Sequence, residues 1–393
     1  MTNKLNNILM SWGANRNVLL YGPPATGKTR LISELFQILN TPQESQRGII
    51  LDPNDTSMPF SRPVQEITIP HPVKVVWTTF HQSYGYEDFV LGLRPEITAE
   101  GTRLQPWAGV FLDAALELAD PLSEYQSVVI FIDEINRGNA ARIFGEFMTF
   151  LDFDYRDEGR VSIPLPLRQL TYKEGRSEKV YRPCGKETNI PDNFTFPRHV
   201  YIVSTMNSVD RAAVPIDSAL ARRFDRIEMR PNLDVLAQCW GLNKTTIPKP
   251  TENNGETLSP FETGYLLLDK LNVAIASDLG PEFELGHGLL TPMLAYQTIE
   301  GGGRQIIEEN DTWYSLSVIW DDVLFPQLED RYSGRAEQLL DILYVDTAPS
   351  TGDYAWRLRT SISNTVVART LAPVRVSELG IDVIKRSFRW LIH

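Results

Sequence analysis

Eight consecutive residues, Gly22-Pro23-Pro24-Ala25-Thr26-Gly27-Lys28-Thr29, have the types and spacing of a phosphate-binding loop. Amides of such a loop, with the positive end of a following helix dipole, converge on a diphosphate. Lys28 supplies a point charge for the terminal phosphates, and Thr29 offers a hydroxyl to Mg²⁺. A second group, Asp133-Glu134, closes the apolar run Val128-Val129-Ile130-Phe131-Ile132. A carboxylate there is costly unless paired or coordinated. A Mg²⁺ held through Thr29 and Asp133 compensates it, and Glu134 can polarise a water for attack on the terminal phosphate. Asn207 closes a third apolar run, 199–205, and its amide can hold the same water. Arg222-Arg223 open the run 222–229. A guanidinium at a sheet end is either a surface ion pair or a cation offered to nucleotide. If it acts on a neighbour's nucleotide, the chain must assemble head to tail into a ring.

The elements that must hold these residues are legible around them. Asn17-Val18-Leu19-Leu20-Tyr21 predicts a strand, and residues 30–39 space their apolar positions along one helix face. Strand, glycine-punctuated loop and helix are the setting the phosphate loop needs. Residues 73–79, 128–132, 199–205 and 222–229 predict further buried strands, while 4–12, 107–118 and 140–151 predict helices. Continuous apolar strands alternating with helices argue for a parallel sheet covered on both faces, with ligands at the carboxyl ends of its strands. The expected organisation is an α/β nucleotide-binding domain over 1–240, with insertions near 41–72 and 152–197. A linker over 241–260 leads to a smaller helical lid domain over 261–343, predicted as helices at 261–279, 313–328 and 335–343. The extension 344–393 has no clear fold, although 376–392 reads as a helix suited equally to a core or to a partner.

Composition narrows the classes. A chain of 393 residues with 42% hydrophobic and 22% charged residues is an ordinary globular protein with room for two or three domains. A net charge of −12 gives no overall attraction to nucleic acid or anionic lipid, so DNA contact is expected through a partner. Cys184 and Cys239 lack metal-ligand spacing or a disulfide framework, and no apolar run reaches the length of a membrane span. The expectation is a cytoplasmic protein with no membrane contact.

Taken together, the phosphate loop, the stretch Ile130-Phe131-Ile132-Asp133-Glu134-Ile135-Asn136-Arg137-Gly138-Asn139, the stretch Thr205-Met206-Asn207-Ser208-Val209-Asp210-Arg211 and Leu220-Ala221-Arg222-Arg223-Phe224 resemble the AAA+ superfamily. More narrowly they resemble its McrB branch, the NTP-driven motor of modified-cytosine restriction systems. Phe80-His81-Gln82-Ser83-Tyr84, Tyr86-Glu87-Asp88-Phe89-Val90, Gly92-Leu93-Arg94-Pro95, Phe283-Glu284-Leu285-Gly286-His287 and the segment 320–332 are similar to stretches of that branch. The resemblance implies an αβα sandwich with a helical lid. It makes Asp133 the Mg²⁺-side acid, Glu134 the catalytic glutamate, Asn207 the sensor and Asp210 a member of the Asn-x-x-Asp signature. It makes Arg222 the trans-acting finger, Arg137 and Arg223 further interface arginines, and His287 a lid residue near the base or ribose. It further implies GTP or ATP as substrate, Mg²⁺, a hexameric ring and a nuclease partner resembling McrC.

Two departures shape the expectation. No DNA-reading domain precedes the motor in this sequence, so the chain is not expected to choose a modified base alone. Gly286-His287-Gly288-Leu289-Leu290 lacks the Ser-Tyr-Phe that often follows Gly-His in the branch, which bears on the lid's nucleotide contacts. The competing readings are a MoxR- or dynein-like ATPase that remodels protein complexes, and a nucleotide-gated scaffold that scarcely turns over.

Overall fold

The computed structural model describes residues 2–40, 69–98, 101–157, 179–190, 194–210, 214–245, 247, 258–294, 299–300, 303–304, 309–345, 354–363, 366–372 and 374–393. Most of the insertion expected at 41–72, the centre of the one at 152–197, Arg211 and most of the linker lie outside them. The chain divides into two compact units, Met1–Tyr21 with Lys28–Met229, and Gly22–Gly27 with Arg230–His393. Among the described residues no helix is long and apolar enough to cross a membrane. Both cysteines are free and exposed.

The strands of the first unit are β1 (Asn17–Gly22), β2 (Val73–Thr79), β3 (Leu91–Thr98), β4 (Gly101–Ala108), β5 (Ser127–Asp133), β6 (Lys179–Tyr181), β7 (Glu187–Asn189), β8 (Val200–Asn207) and β9 (Asp225–Glu228). Five of them form a sheet in the order β2-β5-β8-β1-β9. Register pairs Thr79 with Asp133, Ile132 with Ser204 and Val18 with Asp225, all in parallel ladders. Successive side chains of a strand face opposite ways, and the burial follows that period of two. Val128, Ile130 and Ile132 of β5, Val200 and Ile202 of β8 and Leu19 of β1 pack into one core with Phe80, Phe111 and Phe144. Val129, Phe131, Tyr201, Val203, Val18 and Leu20 pack into the other with Trp12, Leu31, Ile32 and Leu35. Helices Thr2–Ala14 and Lys28–Asn40 contribute to this second core, and Val110–Ala119 to the first. The result is the αβα sandwich expected from the continuous apolar strands.

Several local expectations are corrected. The helix expected from residue 107 starts at Val110, because β4 runs to Ala108 and Trp107 pairs with Tyr181. The helix expected over 140–151 ends at Phe144, where Gly145 (φ 52°) turns the chain into a tighter 3₁₀ run to Leu151. Arg222 does not open a strand; it caps the short helix Ser218–Ala221, and β9 begins at Asp225.

A second sheet, β3-β4-β6-β7, is built on the hairpin of β3 and β4. Buried Arg182, just after β6, ties it down by donating to Asp113 Oδ1 at 2.7 Å and pairing with Glu117 at 2.5 Å. Lys74 on β2 reaches the same Glu117 at 2.7 Å.

In the second unit, helix Pro260–Asp278 begins with a reciprocal cap. Ser259 N–H donates to Glu262 Oε2 at 2.8 Å, and Glu262 N–H donates to Ser259 Oγ at 3.2 Å. The expected 313–328 helix is in fact Glu309–Ile319, a wide π turn Trp320–Leu324, and Phe325–Arg331. Residues beyond 344 complete this unit's core: Tyr354, Trp356, Ile384, Phe388 and Leu391 are buried with Trp313, Trp320 and Leu324. Helix Ile381–Leu391 is therefore a core helix.

Candidate active site

β5 leaves the sheet at Asp133, and the chain turns at once because Glu134 is left-handed, φ 52°. For a residue with a side chain this costs about 1–2 kcal/mol, which neighbouring bonds must offset. Glu134 N–H donates to Thr205 Oγ1 at 2.9 Å, and the same hydroxyl donates to Asp133 Oδ1 at 2.5 Å. The Glu134 carboxylate accepts from Asn207 Nδ2 at 3.2 Å and is ion-paired with Arg137. Arg137 also reaches Asp210 Oδ2 at 3.2 Å. Beneath them buried Asn136 donates to Asn207 O at 3.1 Å and accepts Val214 N–H at 2.8 Å. The ends of β5 and β8 are thus bound together by side chains from both strands.

Lys28 opens helix Lys28–Asn40 and is only 6% exposed. Burial brings its ammonium down to about 8, against the opposing pull of the Asp133 and Glu134 carboxylates. Thr29 beside it is exposed. A hydroxyl and a half-exposed carboxylate are hard oxygen donors of the kind Mg²⁺ takes, usually one or two from protein with the rest from phosphate and water. No group of three or more His, Cys, Asp or Glu side chains that could hold a metal ion occurs among the described residues.

The two arginines after the short helix behave differently. Arg223 is turned inward, donating to Asp152 Oδ2 at 2.9 Å and to Ala219 O at 2.7 Å. Arg222 is exposed, and its guanidinium makes no hydrogen bond or ion pair among the described residues. Of the three arginines singled out in the sequence, Arg137 and Arg223 are paired within the chain and Arg222 is presented to solvent.

In the second unit the loop Gly22–Gly27 lies against the turn Gly286-His287-Gly288. Gly288 N–H donates to Ala25 O at 2.8 Å. A Cβ on Gly286 would stand 2.1 Å from Pro24 O, so the approach requires glycine. Thr26 Oγ1 closes the loop on Pro23 O at 2.9 Å. His287 is buried, and its Nδ1 accepts Asn232 N–H at 3.1 Å, which leaves the ring proton on Nε2.

Some sequence signals prove to hold the fold. Phe80 stacks on Tyr84 with centroids 5.0 Å apart and meets Phe89 edge-on at 5.3 Å. A Cβ on Gly92 would stand 2.6 Å from Glu87 O. Thr205 belongs to a stretch quoted from the sequence, but the sequence reading gives it no role of its own. Its signal was available, since it stands two positions before Asn207 and so on the same face of β8.

Residues 64–224 match the AAA domain of the dynein-related subfamily. The chain is 30% identical over 288 residues to the type IV methyl-directed restriction enzyme EcoKMcrB subunit of Escherichia coli (strain K12), covering 72% of this chain and 49% of that protein. It is 24% identical over 219 residues to the type II restriction enzyme BsuMI component YdiS of Bacillus subtilis (strain 168), covering 54% and 57% respectively. The chain thus spans about half the length of these relatives. Among solved structures, NtrX from Brucella abortus aligns over 87% of this chain and 65% of that one at 10% identity, with a TM-score of 0.25, too distant to argue from.

Sheet, phosphate-loop motif and domain match define an AAA+ protein. The Asp-Glu and Met-Asn-x-x-Asp stretches meet at the ends of β5 and β8, and the sequence relatives narrow the class. The chain is an AAA+ protein of the McrB type.

Proposed function

We propose that this chain hydrolyses GTP or ATP with Mg²⁺ and, as a ring of identical subunits, drives a separately encoded nuclease resembling McrC in DNA restriction and antiphage defence. The observation that supports this best is the hydrogen-bonded convergence of Asp133, Glu134 and Asn207 at the ends of β5 and β8. In this reading residues 22–27 cradle the phosphates and Lys28 neutralises their terminal charge. Asp133 and Thr29 hold Mg²⁺, which when bound draws charge from the phosphate oxygens. Glu134 takes the proton of the attacking water while Asn207 keeps that water in line, and Asp210 and Arg137 brace the glutamate. Arg222 reaches the phosphates of the adjacent subunit in a hexamer, with Arg137 and Arg223 near the same interface. His287 offers its Nε2 proton toward the base or ribose. DNA is met through the partner, in the cytoplasm, and cleavage belongs to that partner.

The test is phosphate release from GTP and from ATP by the purified chain, with and without its cognate nuclease, alongside the particle mass. A hexamer that turns over nucleotide faster with the partner is expected. A monomer at saturating nucleotide, Mg²⁺ and partner overturns the ring. The dynein-related match of residues 64–224 favours a second reading, an ATPase that remodels protein complexes. Partner-independent turnover, with co-purification of a protein that is not a nuclease, would select it.

A further inference from the structure

The structure assigns Thr205 as the residue that positions the water-activating glutamate. The assignment rests on the hydrolytic reading above and goes beyond it in naming what sets the geometry of its base.

Thr205 lies in β8, 2% exposed, and its single hydroxyl serves both acidic residues at the end of the neighbouring strand. It donates its proton to Asp133 Oδ1 at 2.5 Å. Its lone pair receives the Glu134 N–H at 2.9 Å. The direction of each bond is therefore determined: the proton points to Asp133, and the acceptor side is occupied by the backbone of Glu134.

Glu134 is where this matters, because its backbone is left-handed at φ 52°. An extended residue at that point would continue β5. The bond from Glu134 N–H to Thr205 holds the turned peptide in register with β8. From that turn the Glu134 side chain reaches Asn207 Nδ2, 3.2 Å away and two residues beyond Thr205 on the same strand face. One hydroxyl thus ties the Asp133 carboxylate, the Glu134 backbone and the strand bearing Asn207 into one unit. A carboxylate that must meet a water in line with a phosphate is sensitive to displacements of an ångström or less. Outer groups that hold reacting ones typically contribute 10–100-fold.

Thr205→Val keeps the shape and removes the hydroxyl; Thr205→Ser keeps the hydroxyl. Three readings are compared with the wild type and Glu134→Gln: turnover at saturating Mg²⁺, affinity for a non-hydrolysable nucleoside triphosphate, and thermal midpoint. The expected pattern is a fall of about tenfold or more in Thr205→Val turnover, analogue affinity within about twofold, and recovery of most of the rate in Thr205→Ser. Thr205→Val turnover within twofold of wild type overturns the assignment. So does Thr205→Ser no better than Thr205→Val, or a parallel loss of analogue affinity. Should Thr205→Val not fold, Thr205→Ala takes its place, and failure of both to fold gives the hydroxyl a structural role and overturns positioning. A wild-type chain without turnover, alone and with partner, instead defeats the hydrolytic reading.

Discussion

Asn207 Nδ2 donates to Glu134 Oε1 across 3.2 Å, joining the ends of β8 and β5 by two groups that face the same reacting water in the proposed mechanism. Glu134→Gln keeps the shape and removes the base. It should bind nucleotide and assemble like the wild type while turnover falls by about 100-fold or more, the usual scale for losing a positioned general base. Asn207→Ala should fall less steeply and bind nucleotide normally. Single-turnover phosphate release separates chemistry from binding, and wild-type turnover in Glu134→Gln would remove this residue from the mechanism.

Lys28 gives the pH dependence a definite sign. Burial holds this ammonium down to about 8 in the nucleotide-free chain, with Asp133 and Glu134 pulling the other way. A bound triphosphate brings further negative charge and raises it, so binding takes up a proton wherever Lys28 of the nucleotide-free chain has begun to lose one. Nucleotide affinity should be level below about pH 7 and fall above about pH 8, by at most about tenfold per pH unit. Lys28→Ala should lose nucleotide-dependent assembly. Titration calorimetry in two buffers of different ionisation heat measures the proton uptake directly. Proton release on binding would contradict this role. The same depression makes the unliganded fold gain stability as pH rises from about 8, because the unfolded chain holds that proton more tightly.

Gly286 bears on the phosphate loop from within the second unit. A Cβ there would stand 2.1 Å from Pro24 O and 2.4 Å from the Ala25 carbonyl carbon, both backbone atoms that cannot swing aside. Gly286→Ala should therefore push turn and loop apart, at about 1–3 kcal/mol of stability as in other over-packed sites. Nucleotide affinity should weaken with it. Thermal melting with and without nucleotide reads both effects, and an unchanged midpoint together with unchanged affinity would show that the contact is dispensable.

How much of this was legible beforehand follows from the type of interaction. The central sheet could be read because its three inner strands, β5, β8 and β1, bury both faces: Val128 through Ile132 form one unbroken apolar run, and Val129 and Phe131 differ from their neighbours only in which core they enter. The acids and Asn207 could be read because each ends such a run. The hairpin of β3 and β4 was hidden, since Leu93, Ile97 and Leu104 are exposed and give no burial pattern. Helix ends at Gly109 and Gly145 depend on single glycines inside otherwise helical stretches. The roles of Arg137, Arg222 and Arg223 could not be separated from spacing alone. Only tertiary partners distinguish Arg223 on Asp152 from Arg222 in solvent. Burial of Tyr354, Trp356, Ile384, Phe388 and Leu391 likewise depends on Trp313 and Trp320, far away in sequence.

Arg222 is the residue on which the proposed ring is most directly tested. It follows a helix of four residues, is exposed, and its guanidinium has no bond among the described residues. Its neighbour Arg223, by contrast, is held to Asp152 at 2.8 Å and is 11% exposed in its side chain. An exposed guanidinium with no bond among the described residues adds little to the stability of its own chain, so Arg222→Ala should change the stability by no more than about 0.5 kcal/mol, as read from thermal melting. Arg223→Ala, which strands Asp152, should cost more. If Arg222 acts across an interface, Arg222→Ala abolishes turnover without touching the subunit's own nucleotide site. Mixing it with Glu134→Gln subunits then brings together, at some interfaces, an intact glutamate and an intact arginine. Partial recovery of turnover over a range of mixing ratios is the expected result. No recovery at any ratio, in mixtures shown by mass to contain both variants, would confine Arg222 to its own chain.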